Sequence, residues 1–293
     1  MSNIFQYNYL IFCIVEDFHI FASFERPNDM LKKIAFSLVT IISFSAKSAA
    51  QGSFAHEVGV IFGPVTFQSD YGERHDLSTN LGNTGFGIGV THYLNFSANN
   101  NRESFFSEHF KVRSELSFSK TNLKHFGQWV ELDPKKLGVQ QLRAMRGSST
   151  VLNLGSQLEF SPFMKIHDFE NTVGSFSPYV SLGFLVSYYK SHVGSDLGPL
   201  GTTATTFPKY LTPSDGRQFG FSSESGVVLS ATAGLGGHYK LAPMHDLMVE
   251  ARFQMFSSDW VDGLNPNKDV YSENKNNDWQ VWFTVGYIYY LEF

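Results

Sequence analysis

The stretch Asp278-Trp279-Gln280-Val281-Trp282-Phe283-Thr284-Val285-Gly286-Tyr287-Ile288-Tyr289-Tyr290-Leu291-Glu292-Phe293 decides the fold. Every second residue from Trp279 to Phe293 is apolar or aromatic, while the alternate set, from Asp278 through Gln280, Trp282, Thr284, Gly286, Ile288 and Tyr290 to Glu292, is small, polar or mixed. A period of two predicts a β-strand with one oily face. The stretch is much longer than the usual globular strand of about 5–6 residues. It suits a tilted strand that crosses a bilayer and projects beyond it. Aromatic residues fall near both ends of the oily face, as at the two interfaces of a membrane. The competing reading is a buried edge strand of a soluble sandwich.

Working back from this strand, seven more segments carry period-two faces, at about 55–68, 84–97, 108–122, 149–163, 176–190, 226–240 and 246–256. In the second, Phe86, Ile88, Val90, Leu94 and Phe96 alternate with Gly85, Gly87, Gly89, Thr91, Tyr93 and Asn95. Glycine on the inner face leaves room in a narrow lumen. Pro64 lacks the N–H a ladder needs and is expected to interrupt the upper part of the first strand. Eight strands, with polar connections at 68–84, 121–148, 190–225 and 257–278 and shorter ones between, predict an all-β fold. It is an eight-stranded antiparallel transmembrane up-and-down β-barrel with long extracellular loops. Closure is required because open strand edges cannot be satisfied in lipid.

Composition agrees with a lipid-facing β-protein. Of 293 residues only 17% are charged, 16% are aromatic and 25 are glycine. The net charge of −5 gives no reason to expect a nucleic-acid partner. Met30-Leu31-Lys32-Lys33, the apolar run 34–44 and the small residues Ser45-Ala46-Lys47-Ser48-Ala49-Ala50 read as a secretory signal peptide over 30–50, with cleavage after Ala50 and a mature start at Gln51. The run is too short to span a membrane as a helix. Residues 1–29 read as a non-native or unstructured N-terminal extension, and 51–293 as one barrel domain. Cys13 leaves with the leader, so the mature chain is expected to have no disulfide, thiol nucleophile or cysteine-ligated metal.

Charges recur on the face opposite the oily one, at Glu57, Lys111, Arg113, Glu115, Glu159, Lys240, Glu250 and Arg252. Inside an eight-stranded barrel they must pair, and they predict a polar plug in a closed lumen, with an ion or proton path as the alternative. His92 has the parity of a lipid-facing residue. Some outer-membrane lipid A deacylases carry a histidine and a serine on that wall, but the second strand descends, so His92 falls in the periplasmic half. Ser97 has the wrong parity to be its partner. An interfacial or neighbour-covered histidine is expected. His56-Glu57 lacks the second histidine of a zinc helix. Asp70, Glu73, Asp76, Asp259, Asp262, Asp269, Glu273 and Asp278 make the outer loops acidic, and these read as solvated charge, with weak calcium binding as the alternative. Gly82, Gly85, Gly87 and Gly89 precede a strand rather than a helix and form no dinucleotide fingerprint. Residues 198–213 and 260–267 read as ordered, aromatic-bearing loops that either cap the barrel or bind a partner. No catalytic, cofactor-binding or metal-binding residue is assigned.

The alternating strand that ends on Phe293 resembles the C-terminal insertion signal of bacterial outer-membrane barrels. His56-Glu57-Val58-Gly59-Val60, Arg113-Ser114-Glu115-Leu116-Ser117 and Phe176-Ser177-Pro178-Tyr179-Val180-Ser181-Leu182-Gly183 resemble Bacteroidota outer-membrane barrels related to the barrel component of the type IX secretion system. Trp260-Val261-Asp262-Gly263-Leu264-Asn265-Pro266 resembles an uncharacterised flavobacterial barrel family close to it. The resemblance implies a cell outer-membrane anchor for a periplasmic secretion or gliding assembly, and the charge-filled lumen without a convincing catalytic set makes a non-enzymatic role the expectation. Its partners would be outer-membrane lipids and periplasmic or surface proteins, and no cofactor is expected. The alternatives are a narrow transporter or ligand-binding barrel that uses its outer loops and, third, a lipid-modifying enzyme.

Overall fold

The computed structural model describes residues 54–73, 77–96, 104–271 and 276–291. The leader read at 30–50, the extension 1–29, Cys13 and Phe293 lie outside them. Strands β1 (Ala55–Gln68), β2 (Thr84–Asn95), β3 (Phe110–Lys124), β4 (Met145–Phe160), β5 (Phe176–Ser195), β6 (Ser225–Ala242), β7 (His245–Phe256) and β8 (Trp279–Leu291) follow one another around a closed antiparallel barrel. The terminal strand pairs with the first from His56↔Leu291 to Gln68↔Trp279, so no edge is left open to lipid.

The alternation read from sequence sets the walls. Val60, Phe62, Ile88, Leu182, Phe184, Phe253, Phe283 and Val285 point outward and are exposed, as lipid-facing residues must be in an isolated barrel. Phe54, Phe96, Phe106, Phe110 and Phe160 form an edge-to-face and stacked chain of rings at the periplasmic rim, with centroids 4.8–5.5 Å apart along its contacts. This is the aromatic girdle expected at an interface.

Several boundaries differ from the sequence reading. Glu108 belongs to helix α2 (Phe105–His109) rather than to β3, because the chain after the second strand folds a helical turn before re-entering the wall. β4 runs Met145–Phe160 instead of 149–163, and β5 reaches Ser195. The interruption expected at Pro64 is one-sided. β1 stays paired with β2 through Pro64, while its ladder to β8 skips Gly63 and Pro64 without a change of register. A Cβ on Gly63 would collide with the Phe283 carbonyl oxygen, so only glycine allows the strands to close there.

Helix α1 (Leu77–Leu81) lies in the first outer connection, and α3 (Gln128–Glu131) and α4 (Leu137–Ala144) in the second. A 3-10 turn at Pro208–Leu211 lies in the third, and α5 (Ile166–Asn171) in the second inner connection. β3, β4 and β5 continue past the outer end of β2, where Lys124↔Arg146 and Met145↔Ser195 are still paired, so one side of the barrel stands taller.

Candidate functional site

The lumen is filled in layers. Nearest the periplasm, Lys111 Nζ meets Glu57 Oε1 at 2.7 Å and Lys240 Nζ meets Asp246 Oδ1 at 3.0 Å. Tyr290 donates to Asp246 Oδ2 at 2.6 Å, and its ring lies 3.6 Å beneath the Lys240 ammonium. Above this, Arg113 holds Glu159 at 2.9 Å and Glu250 at 2.8 Å and donates to Gln157 Oε1 at 2.7 Å. Glu159 also meets the His238 ring at 3.1 Å, and Arg252 pairs with Glu115 and covers the Trp282 ring. All of these side chains are buried. Every charge that the alternation placed inside is there, and each is paired. This is what a low-dielectric interior demands, since a lone buried ion costs several kcal/mol.

The next layer is neutral. Gln254 Nε2, with two hydrogens to donate, lies 2.9 Å from Asn153 Oδ1, 3.1 Å from Ser187 Oγ and 2.8 Å from Ser230 Oγ, and Gln280 Nε2 donates to Gln254 Oε1 at 2.8 Å. Amides and hydroxyls from five strands thus satisfy one another across the bore.

The outer mouth is stoppered by apolar side chains that sequence reasoning did not place. Phe67, Leu123, Met145, Tyr189 and Phe256 from the strand tops pack with Tyr71, Leu142, Tyr210, Trp260, Val261 and Leu264 from all four outer connections. The 260–267 loop, read as aromatic-bearing chain that caps or binds, is a cap. Val261, Leu264 and Asn265 are fully buried, and the Val261 carbonyl accepts from Ser149 at 2.6 Å.

Asp269 is exposed as expected of a solvated loop acid, Asp70 and Glu73 are partly exposed, and Asp76 and Glu273 lie outside the described residues, but three of the outer-loop acids depart from that reading. Asp259, Asp262 and Asp278 are buried under the stopper. Asp262 accepts from the Asp70 N–H at 3.0 Å and the Leu264 N–H at 2.6 Å, and Asp278 accepts from the Asp262 N–H at 3.0 Å. Burial, followed by the charge of neighbouring aspartates, raises the carboxyls of Asp262 and Asp278 well above the usual range. The Tyr71 hydroxyl is pushed up for the same reasons. His125, against the Tyr71 ring at 4.7 Å, is lowered by burial and by Lys209 to about 3. Among the described residues no three His, Cys, Asp or Glu side chains converge as metal ligands.

His92 faces outward, half-buried by His56: the rings stack with centroids 5.2 Å apart, and His56 Nδ1 and His92 Nε2 are 3.0 Å apart. The neighbour is another histidine, as cross-strand register allows. Register also sets Ser114 opposite His92, a serine that inspection along a single strand overlooks, but its hydroxyl lies 3.1 Å from that of Ser156. Ser97 lies outside the described residues.

No protein-family model and no curated protein matches the chain. Solved structures similar in fold include a major outer-membrane protein from Thermus thermophilus, with 10% identity, TM-score 0.45, and 82% of this chain and 100% of that one covered. Neisserial surface protein A is similar at 9% identity and TM-score 0.38 over 81% and 97% of the two chains. OprG from Pseudomonas aeruginosa is similar at 17% identity and TM-score 0.32 over 83% and 99%. The closed eight-stranded wall, apolar outside and polar within, is that of a cell outer-membrane β-barrel.

Proposed function

We propose that this barrel is a non-enzymatic anchor or interaction component of the outer membrane, exported by the leader at 30–50, and that its assembly is of the type IX secretion or gliding kind. The observation that carries the reading is the doubly closed bore. Paired ions fill its inner half, and a stopper built from four loops closes its mouth. A lumen so filled leaves the rims and loops as the surfaces through which the protein acts. The type IX assignment rests on the sequence resemblance alone. The test is mild crosslinking in membranes, followed by affinity recovery of the barrel and mass spectrometry of what comes with it. Recovery of periplasmic or surface secretion proteins supports the assignment, and recovery of the barrel alone removes it.

A further inference from the structure

Strand register aligns a cationic sector on the outer wall. Lys120 of β3 lies opposite Thr150 of β4, Thr150 opposite Lys190 of β5, and Lys190 opposite Ser225 of β6. The row directly beneath is Phe118, Leu152, Tyr188 and Val227. The rows above set Ser148 opposite His192 and Lys124 opposite Arg146. The wall therefore turns from apolar to basic in a single step. Along β5, the outward residues from Phe176 to Tyr188 cover about 40 Å of strand, or about 30 Å of depth at the usual tilt, which matches the hydrocarbon layer. Lys190 and Lys120 stand where the hydrocarbon ends and headgroups begin.

These lysines are unneutralised. Among the described residues Lys120, Lys124 and Lys190 pair with no carboxylate, whereas the nearby acids are already engaged: Asp196 by Arg146 at 2.7 Å and Glu224 by Arg217 at 2.8 Å. Elsewhere around the same rim the outward residues are Gln68, Thr84, Met255 and Trp279, which carry no charge. An open hollow of about 510 Å³ lies on this side, lined by Lys120, Thr150, Lys190, His192 and four serines, with Glu224, held by Arg217 at 2.8 Å, as its one carboxylate. Ammonium groups flanking hydroxyl donors suit phosphate oxygens. The oily row immediately below offers a surface for acyl chains, which a soluble anion would not use.

We propose that the outer face of β3–β6 binds the phosphorylated headgroup of an outer-leaflet glycolipid, with Lys120 and Lys190 clamping phosphate and Thr150 between them as hydroxyl donor. The site depends on the barrel's orientation in the membrane and not on the anchoring role. Its failure would leave the partner-recovery experiment untouched.

The test uses the refolded chain in dodecyl maltoside and measures lipid retention by native mass spectrometry. The probes are bis-phosphorylated lipid A, dephosphorylated lipid A and inorganic pyrophosphate. The wild type should retain the bis-phosphorylated lipid in preference to both other probes. K120Q/K190Q should lose that retention at least tenfold, and K135Q/K136Q, an equal loss of charge on exposed residues of the second outer connection, should change it less than twofold. Heat-modifiable gel mobility certifies folding, and the single variants K120Q and K190Q carry the comparison if the double variant fails that criterion. Equal loss in the two double variants, retention without preference for phosphate, or pyrophosphate bound as tightly as the lipid would each overturn the proposal.

Discussion

Arg113 grips Glu159 with one terminal guanidinium nitrogen and Glu250 with the other, so its removal takes the shared cation from two buried carboxylates, leaving Glu159 with His238 and Glu250 with the Ser181 hydroxyl. Arg113→Met should cost about 3–5 kcal/mol, the usual penalty for stranding buried charge. Glu250→Gln leaves Arg113 with Glu159 and Gln157 and should cost less. Urea unfolding of the refolded barrel measures both, and equal losses would contradict the pairing scheme. On the other side of the wall, Val285 is exposed at the centre of β8, opposite Phe62 and Val249. An arginine there meets lipid near the midplane and should cost about 2–4 kcal/mol. Residue-scale parity was legible in the sequence because side chains alternate strictly along a strand, so Glu57, Lys111, Arg113 and Glu250 fell inside without any structure. The partner of each charge was not legible, because pairing across a bore depends on the stagger between distant strands.

Among the elements, the seam between β1 and β8 and the stopper at the mouth are the most exacting. Gly63→Ala should prevent the seam from closing, because its Cβ would collide with the Phe283 carbonyl; loss of the compact, heat-modifiable gel species is the expected outcome. The stopper should respond to pH in both directions. The raised carboxyls of Asp262 and Asp278 favour their protonated forms in the folded mouth. Their contribution is full below the unfolded carboxylate range near 3.9 and is lost as pH rises through the raised values. His125, lowered from 6.5 to about 3, contributes fully above 6.5 and loses that contribution as pH falls toward 3. Limited proteolysis of the outer connections across pH should show cleavage rising at both ends. His125→Phe should remove the acid limb and D262N/D278N the alkaline one; an unchanged profile in either variant would contradict the assignment. None of this was readable beforehand. Buried irregular chain has no period, and Asp262 looks like any loop acid until Asp70, 192 residues away in sequence, is found donating to it.

At the scale of the whole molecule, the apolar wall and the polar bore come from one alternating pattern, and the taller β3–β5 side comes from strands that outlast the oily band. The closure of the bore is the central claim, since it separates an anchor from a conduit. Planar-bilayer recording of the refolded chain tests it most directly. The filled lumen and the four-loop stopper predict a membrane that stays silent at neutral pH once the barrel has inserted, with insertion verified by protease protection. A steady, voltage-independent conductance under the same conditions would contradict the sealed barrel.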